Sequence, residues 1–241
     1  MQYLAKNLAR IKNEIAEAER CAGRQAGTVQ LCAVSKTVDH NVIAAMHGFG
    51  QQTFAENRPQ SLRDKSALLQ STGFNWHFIG SLQSNKIKYV YPVAELVHSI
   101  DRRELLDQFA AWHQKTGRLC PILLQVHISK EEAKQGFACE EILQVIEDYN
   151  SHEHLDIRGL MGMAPFVEDE DVVRACFRQL HELFAKSRSL QGPSYQAQHL
   201  SMGMSGDFRI AIEEGATIVR IGTALFAPPA SHSPLQSQAF P

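Results

Sequence analysis

Thr28-Val29-Gln30-Leu31-Cys32-Ala33-Val34-Ser35-Lys36 is an apolar run closed by a lysine, and Asp39 to Met46 follows it with helical spacing. The first piece reads as a strand and the second as a helix. Asp39 is placed to cap that helix, because its carboxylate can accept from the first-turn N–H groups. The same unit then recurs. Strands at Thr53–Ala55, Trp76–Ile79, Glu95–His98 and Pro121–His127 are followed by helices at Pro59–Leu69, up to Tyr89, Arg102–Thr116 and Glu140–Asn150. Further strands at Ile157–Met161, Gln198–Ser201 and Thr217–Ile221 are separated by helices at Asp169–Ser189 and Asp207–Glu214. Ahead of all of them, Gln2–Ala22 carries Leu4, Leu8, Ile11 and Ile15 on one face and stops at Gly23, as an amphipathic helix should.

Strands that alternate with helices are parallel and joined by crossovers. Eight such units predict an α/β fold, a (β/α)8 TIM barrel with an extra N-terminal helix. An open doubly wound sheet is the competing layout, and the strand count does not separate the two. No Pro/Gly/Ser-rich linker interrupts the chain, so residues 1–228 are expected to form one domain. The tail 229–241, rich in Pro, Ser and Gln, is expected to be loose.

Composition narrows the function classes. Of 241 residues, 44% are hydrophobic, enough to bury a sizeable core. A net charge of −2, with both signs interspersed, offers no general attraction to nucleic acid or to an anionic membrane. No run approaches the roughly 20 apolar residues of a spanning helix. The start, Met1-Gln2-Tyr3-Leu4-Ala5-Lys6, is unlike a signal peptide, so a cytoplasmic location is the expectation. Five scattered cysteines without a C-x-x-C pair argue against a disulfide framework or a zinc knuckle.

In such a barrel the chemistry sits at the C-terminal ends of the strands. Those ends carry Lys36, Glu56-Asn57, Gly80, Ser99, His127, Met161-Gly162-Met163, Ser201-Met202-Gly203 and Gly222-Thr223. Lys36 shares a strand face with Cys32 and Val34. If that face is the interior, the amine is expected to be desolvated and its pKa lowered, which suits a Schiff base with an aldehyde. On the strand pattern alone, a lysine curling into solvent is the commoner case. The turns Ser201-Met202-Gly203-Met204-Ser205-Gly206-Asp207 and Arg220-Ile221-Gly222-Thr223-Ala224-Leu225 fall in the two loops where this fold binds phosphate. Small residues there let backbone N–H groups approach an anion. An aldehyde partner and a phosphate together point to pyridoxal 5′-phosphate (PLP).

Several segments carry a family resemblance. They are Ala33-Val34-Ser35-Lys36, Ala55-Glu56-Asn57, Trp76-His77-Phe78-Ile79-Gly80 with Leu82-Gln83-Ser84-Asn85-Lys86, and Ile157-Arg158-Gly159-Leu160-Met161-Gly162-Met163. The most specific are Leu200-Ser201-Met202-Gly203-Met204-Ser205 and Val219-Arg220-Ile221-Gly222-Thr223-Ala224. Through them the chain resembles, as far as Pro228, the pyridoxal-phosphate homeostasis proteins, which look like an alanine racemase N-terminal domain without its β-domain. The resemblance implies PLP on Lys36, phosphate contacts from Ser201, Gly222 and Thr223 with help near Ser205 and Gly206, Asn57 and Met202 near the ring, and Arg220 at the pyridine nitrogen. It implies a role in PLP supply and amino-acid balance without an established reaction. Arg58, Ser81 and His127 depart from the family pattern, at the mouth of the site.

Arg220 bears on mechanism. A guanidinium does not give up its proton, so it should leave the pyridine nitrogen unprotonated and weaken the electron sink. Reversible storage and delivery of PLP is therefore expected, with PLP-dependent apo-enzymes as receivers and the chain acting as a monomer. A PLP-dependent, racemase-like enzyme is the alternative. A metal-dependent hydrolase is a third reading, resting on His77, His98, His127 and His199 near strand ends, but carboxylate partners are not evident. His152-Glu153-His154 reads as a polar loop. Lys86, Lys130 and Lys134 read as a solvated face, with a transient second PLP contact as the alternative. Glu168-Asp169-Glu170-Asp171 reads as a helix N-terminus.

Overall fold

A computed structural model describes residues 1–70, 73–129 and 135–228. Among them the strands are β1 (Gln30–Val34), β2 (Thr53–Glu56), β3 (Asn75–Phe78), β4 (Leu96–Ile100), β5 (Ile122–His127), β6 (Phe137–Ala138), β7 (Ile157–Met161), β8 (Tyr195–Ser201) and β9 (Ile218–Ile221). The helices are α1 (Gln2–Cys21), α2 (His40–Gly48), α3 (Pro59–Leu68), α4 (Ile87–Val90), α5 (Arg103–Thr116), α6 (Ile142–Tyr149), α7 (Glu170–Ser187), α8 (Phe208–Glu213) and α9 (Thr223–Phe226).

Neighbouring strands run β4-β3-β2-β1-β9-β8-β7-β5, and β4 also pairs with β5, Val97 lying opposite Ile122. That last pairing closes the ring, so the fold is the expected TIM barrel and not an open sheet. All the pairings are parallel, and β1 joins the two ends of the chain by pairing with β9, Cys32 opposite Arg220. The two-residue β6 flanks the end of β5 outside the ring.

The core has two layers, as the alternation of strand side chains requires. Cys32, Val34, Ala55, Leu96, Leu123, Met161 and Ile218 fill the lumen. A larger layer between strands and helices includes Phe54, Phe78, Ile122, Leu160, Leu200 and Ile221. Burying each large side chain there stabilises the fold by about 1.5–3 kcal/mol before cavity effects. The apolar stripe of α1 sits in the same layer, with Leu4, Leu8, Ile11 and Ile15 buried. Asn7 Nδ2 donates to the carbonyls of Leu225 and Ala227, 3.0 Å each, and so ties α1 to the last turn. Glu19 of α1 is buried but satisfied, accepting from the backbone of Gly27 and Val29 and from Thr28 Oγ1.

Two caps follow from the sequence. Asp39 Oδ1 accepts from Asn41 and Val42 N–H at 2.8 and 3.1 Å, and Asp169 caps α7 in the same way. Three differences from expectation have local causes. The helix before Tyr89 is a 3-10 turn at Ser84–Lys86 running into the single turn of α4. β8 starts at Tyr195, three residues early, because the polar-looking Tyr195-Gln196-Ala197-Gln198 buries Tyr195 against Ser187. β6 and α9 are too short to show a period. No described helix is long and apolar enough to cross a membrane. The tail 229–241, Lys130 and Lys134 lie outside the described residues.

Candidate functional site

A cavity of about 730 Å³ opens at the C-terminal ends of the strands. Seven of the nine residues singled out above line it: Lys36, Asn57, Ser205, Gly206, Arg220, Gly222 and Thr223. They come from four strand ends and converge because a closed parallel barrel points all its C-termini the same way.

Lys36 stands two residues past the end of β1. The residue before it is pinned: Ser35 N–H donates to Ala55 O at 2.9 Å, and Ser35 Oγ donates to Glu56 Oε1 at 2.5 Å. Lys65 Nζ, reaching from α3, donates to both Glu56 Oε1 and Ser35 O at 2.8 Å. Glu56 is fully buried, so this ion pair anchors the strand end behind Lys36. Of the two readings of Lys36, the solvent-facing one holds. Its side chain is exposed, because the strand has already ended and the cavity is wide enough there to admit water.

Asn57 follows β2 and is half-buried. Its carbonyl touches Gly80 so closely that a Cβ there would lie 2.0 Å away, so only glycine lets the ends of β2 and β3 meet. Ser81 lines the cavity, whereas Arg58 is exposed at the N-cap of α3 and His127 is half-buried at the end of β5; neither of these two lines the cavity.

The other wall is built from two turns. Ser205 Oγ accepts from the N–H groups of Gly222 at 3.3 Å and Ala224 at 3.5 Å, clamping the loops after β8 and β9 together. Among the described residues, no acceptor takes up the N–H groups of Ser205, Gly206 and Thr223. The three residues that carry these free donors all line the cavity, and successive unpaired N–H groups of this kind suit an anion. Gly203 turns the chain at φ +92°, and a Cβ on it would lie 2.5 Å from Ala211 Cβ.

Arg220 forms part of the floor. It is 3% exposed, yet it forms no ion pair among the described residues. Nη1 donates to Ser201 Oγ at 2.7 Å and Nη2 to Gly162 O at 3.1 Å. Burial pulls the guanidinium down to about 10, so it stays charged near neutrality. Below it, His98 Nδ1 lies 2.8 Å from Ser201 Oγ, and His98 Nε2 lies 2.9 Å from His77 Nδ1. Burial, with a further push from His199, lowers His77 to about 3; His98 is lowered well below the usual range, first by burial and then by His77, Arg220 and His199. Burial pushes the neighbouring Cys32 thiol up to about 12.

The structure does not bring Ser201 and Met202 to the cavity wall. Ser201 points down the lumen to Arg220 and His98, and Met202 packs outward between strands and helices. The alternation along one strand puts them on opposite sides, and both lie before the turn that forms the wall. The histidine reading also changes. His77 and His98 bind each other, and among the described residues no group of three or more His, Cys, Asp or Glu side chains is arranged to hold a metal. Lys65 was missed, since a lysine on a polar helix face gives no sign that it reaches a strand end. Met163 stood among the strand-end residues, but Phe166 and Val167, which join it in an apolar rim, were missed for the same kind of reason, as they lie in a loop.

Residues 6–228 match the family model for the alanine racemase N-terminal domain. A protein of Aquifex aeolicus named pyridoxal phosphate homeostasis protein is 38% identical over 221 residues, 92% of this chain and 96% of its own. One of the same name from Deinococcus radiodurans is 42% identical over 218 residues, 88% and 96% of the two chains. Among solved structures, PipY of Synechococcus elongatus with PLP bound superposes with a TM-score of 0.80 at 31% identity, covering 92% of this chain and 99% of its own. Alanine racemase from Bartonella henselae, at 14% identity and a TM-score of 0.64 over 90% of this chain and 59% of its own, shares the fold.

Proposed function

The chain belongs to the pyridoxal phosphate homeostasis proteins, built on the alanine racemase N-terminal domain, and from that premise we propose that its cavity holds PLP on Lys36 as a reversible store. One observation carries this reading. A single cavity gathers an accessible lysine amine, a buried guanidinium without a carboxylate partner, and two turns with uncommitted backbone N–H groups. These match the aldehyde, the pyridine nitrogen and the phosphate of one ligand.

Bound there, PLP supplies an aldehyde that an amine captures reversibly as a Schiff base. The residues do the rest. The Ser35–Glu56–Lys65 anchor fixes the backbone that carries Lys36, so the amine alone has to move. Ser205, Gly206, Gly222 and Thr223 form the phosphate cradle, with Ser205 Oγ holding its two halves together. Arg220 keeps its proton and so can only donate to the pyridine nitrogen. Asn57 borders the ring. An open mouth and an exposed lysine suit exchange with water or with an incoming amine, and hence delivery to PLP-dependent apo-enzymes and a part in amino-acid balance. The family supports PLP supply over racemase chemistry.

Borohydride reduction of the PLP-loaded protein, followed by peptide mass analysis, tests the assignment. One reduced PLP is expected on the peptide containing Lys36, and Lys36→Ala is expected to lose both the adduct and the visible absorbance of the bound cofactor. An adduct that persists unchanged in Lys36→Ala overturns it.

A further inference from the structure

The middle of the lumen contains two buried imidazoles that PLP storage does not require. Their hydrogen bonds have only one consistent direction. Arg220 can only donate, so Ser201 Oγ accepts from Nη1. The single Ser201 hydroxyl proton then has one acceptor in reach, His98 Nδ1 at 2.8 Å. His98 must therefore carry its own proton on Nε2, which donates to His77 Nδ1 at 2.9 Å. His77 in turn carries its proton on Nε2 and lines a second cavity of about 380 Å³ at the opposite end of the barrel. Running the chain the other way would make Ser201 accept twice and leave its hydroxyl proton without a partner, a costly state in a dry interior.

We propose that His98, backed by His77, is a positioning residue for Arg220: by taking the Ser201 proton it fixes Ser201 as the acceptor that holds the guanidinium on the cavity floor with its remaining N–H groups free for the ligand. The proposal rests on the PLP reading given above. Its physical point is the absence of charge in the support. A carboxylate under Arg220 would form a bidentate pair, occupy the donors and neutralise the field. A hydroxyl backed by neutral imidazoles orients the same guanidinium and leaves its positive charge directed at the pyridine nitrogen. Cys32, which approaches His77 at 3.9 Å, and Ser201 are likewise uncharged near neutrality, so among the described residues the support beneath Arg220 carries no charge, and the carboxylate whose field reaches the guanidinium, Asp207, lines the cavity instead.

Nitrogen-15 NMR of histidine-labelled protein without PLP reads the direction of the chain. Both His77 and His98 are expected as Nε2–H tautomers, and a proton on His98 Nδ1 overturns the proposal. Titration with PLP reads the consequence. His98→Leu should still form the Lys36 adduct but bind PLP on the order of tenfold more weakly, the effect of one lost hydrogen bond, with a displaced absorbance band. His98→Gln, which can accept from Ser201 and donate to His77, should recover most of the affinity and the band. Ser201→Ala should lose as much as His98→Leu, and the double variant little more, because both break one chain. Unchanged affinity and band in His98→Leu, or full additivity in the double variant, overturns the proposal. If His98→Leu does not fold, the tautomers and Ser201→Ala decide. If the wild-type chain takes no PLP on Lys36, the functional reading fails instead, and the tautomers still report on the chain of bonds.

Discussion

Ser201 and Ser205 are four residues apart, yet they belong to different environments. Ser201, fully buried, is clamped between Arg220 and His98 in the dry middle of the barrel. Ser205 is half-exposed in the turn above and accepts two long hydrogen bonds that join the loops of the cavity wall. The dry lumen and the wet rim therefore carry separate tasks. Polar groups in the lumen are paired because an unpaired one is expensive there, and they set geometry. Polar groups on the rim are left partly unpaired and are available to a ligand.

The sharpest way to break this division is to remove a charge partner behind the wall. Lys65→Met leaves Glu56 buried without its cation, and a loss of about 3–5 kcal/mol is expected in urea unfolding. A loss below about 1 kcal/mol would show that water reaches the pair and that the wall is not dry. The next largest effect is a pH dependence. His77 is held near 3 in the folded chain against an ordinary value of 6.5, and His98 is also depressed. Below pH 6.5 the unfolded chain takes up protons that the folded chain refuses. Stability should thus fall as the pH drops from 6.5 toward 3, by about 1.4 kcal/mol per pH unit for each imidazole, and should not depend on this pair above 6.5. Cys32, His199 and Arg220 are the ionisable neighbours that shape the titration. Unfolding curves for the wild type and a His77→Gln/His98→Gln variant at pH 7, 6 and 5 check this, and equal slopes would remove the pair as the cause.

The serines themselves sharpen the contrast. Ser201→Ala should cost about 1–3 kcal/mol of stability, since Arg220 Nη1 and His98 Nδ1 are both left unpaired. Ser205→Ala should change stability by less than about 0.5 kcal/mol while weakening PLP binding. Thermal unfolding and PLP titration of the two variants side by side should show weaker PLP binding in both but a stability loss in Ser201→Ala alone, and equal stability losses would deny the contrast. The smallest effect is expected at Phe166, which is 100% exposed on the cavity rim, where Phe166→Ser should leave stability within about 0.5 kcal/mol.

Most of the barrel was legible because its signals are local. Strand and helix periods, Asp39 as a cap, the acidic start of α7 at Glu168-Asp169-Glu170-Asp171, and the alternation of elements all act within a dozen residues. Lys36, the turn at Ser205-Gly206 and the turn at Gly222-Thr223 were legible for the same reason, as strand ends followed by small residues. What stayed hidden depends on which way a side chain points after closure. Ser201 looked like a phosphate ligand and is a lumen residue. Met202 looked like a ring contact and packs outward. The strand pattern of Lys36 allowed a desolvated or a solvent-facing amine, and the structure exposes it. His77 and His98 stood among four histidines near strand ends without evident carboxylate partners, and only the closed barrel shows that they face each other. Lys65 and Glu56 meet through the return of α3 onto the barrel, which no local pattern encodes.

The tie between Asn7 and the carbonyls of Leu225 and Ala227, with β1 paired to β9, has a consequence in time. During synthesis β1 emerges early, but its second neighbour appears only after nearly the whole chain has been made. Until then the strand that carries Lys36 has one open edge and α1 has no last turn to cover. Contacts this distant in sequence form late and slowly. The cavity that contains Lys36 and Arg220 is thus among the last parts of the molecule to exist, and a nascent chain cannot offer it complete to any ligand before β9 has closed the ring.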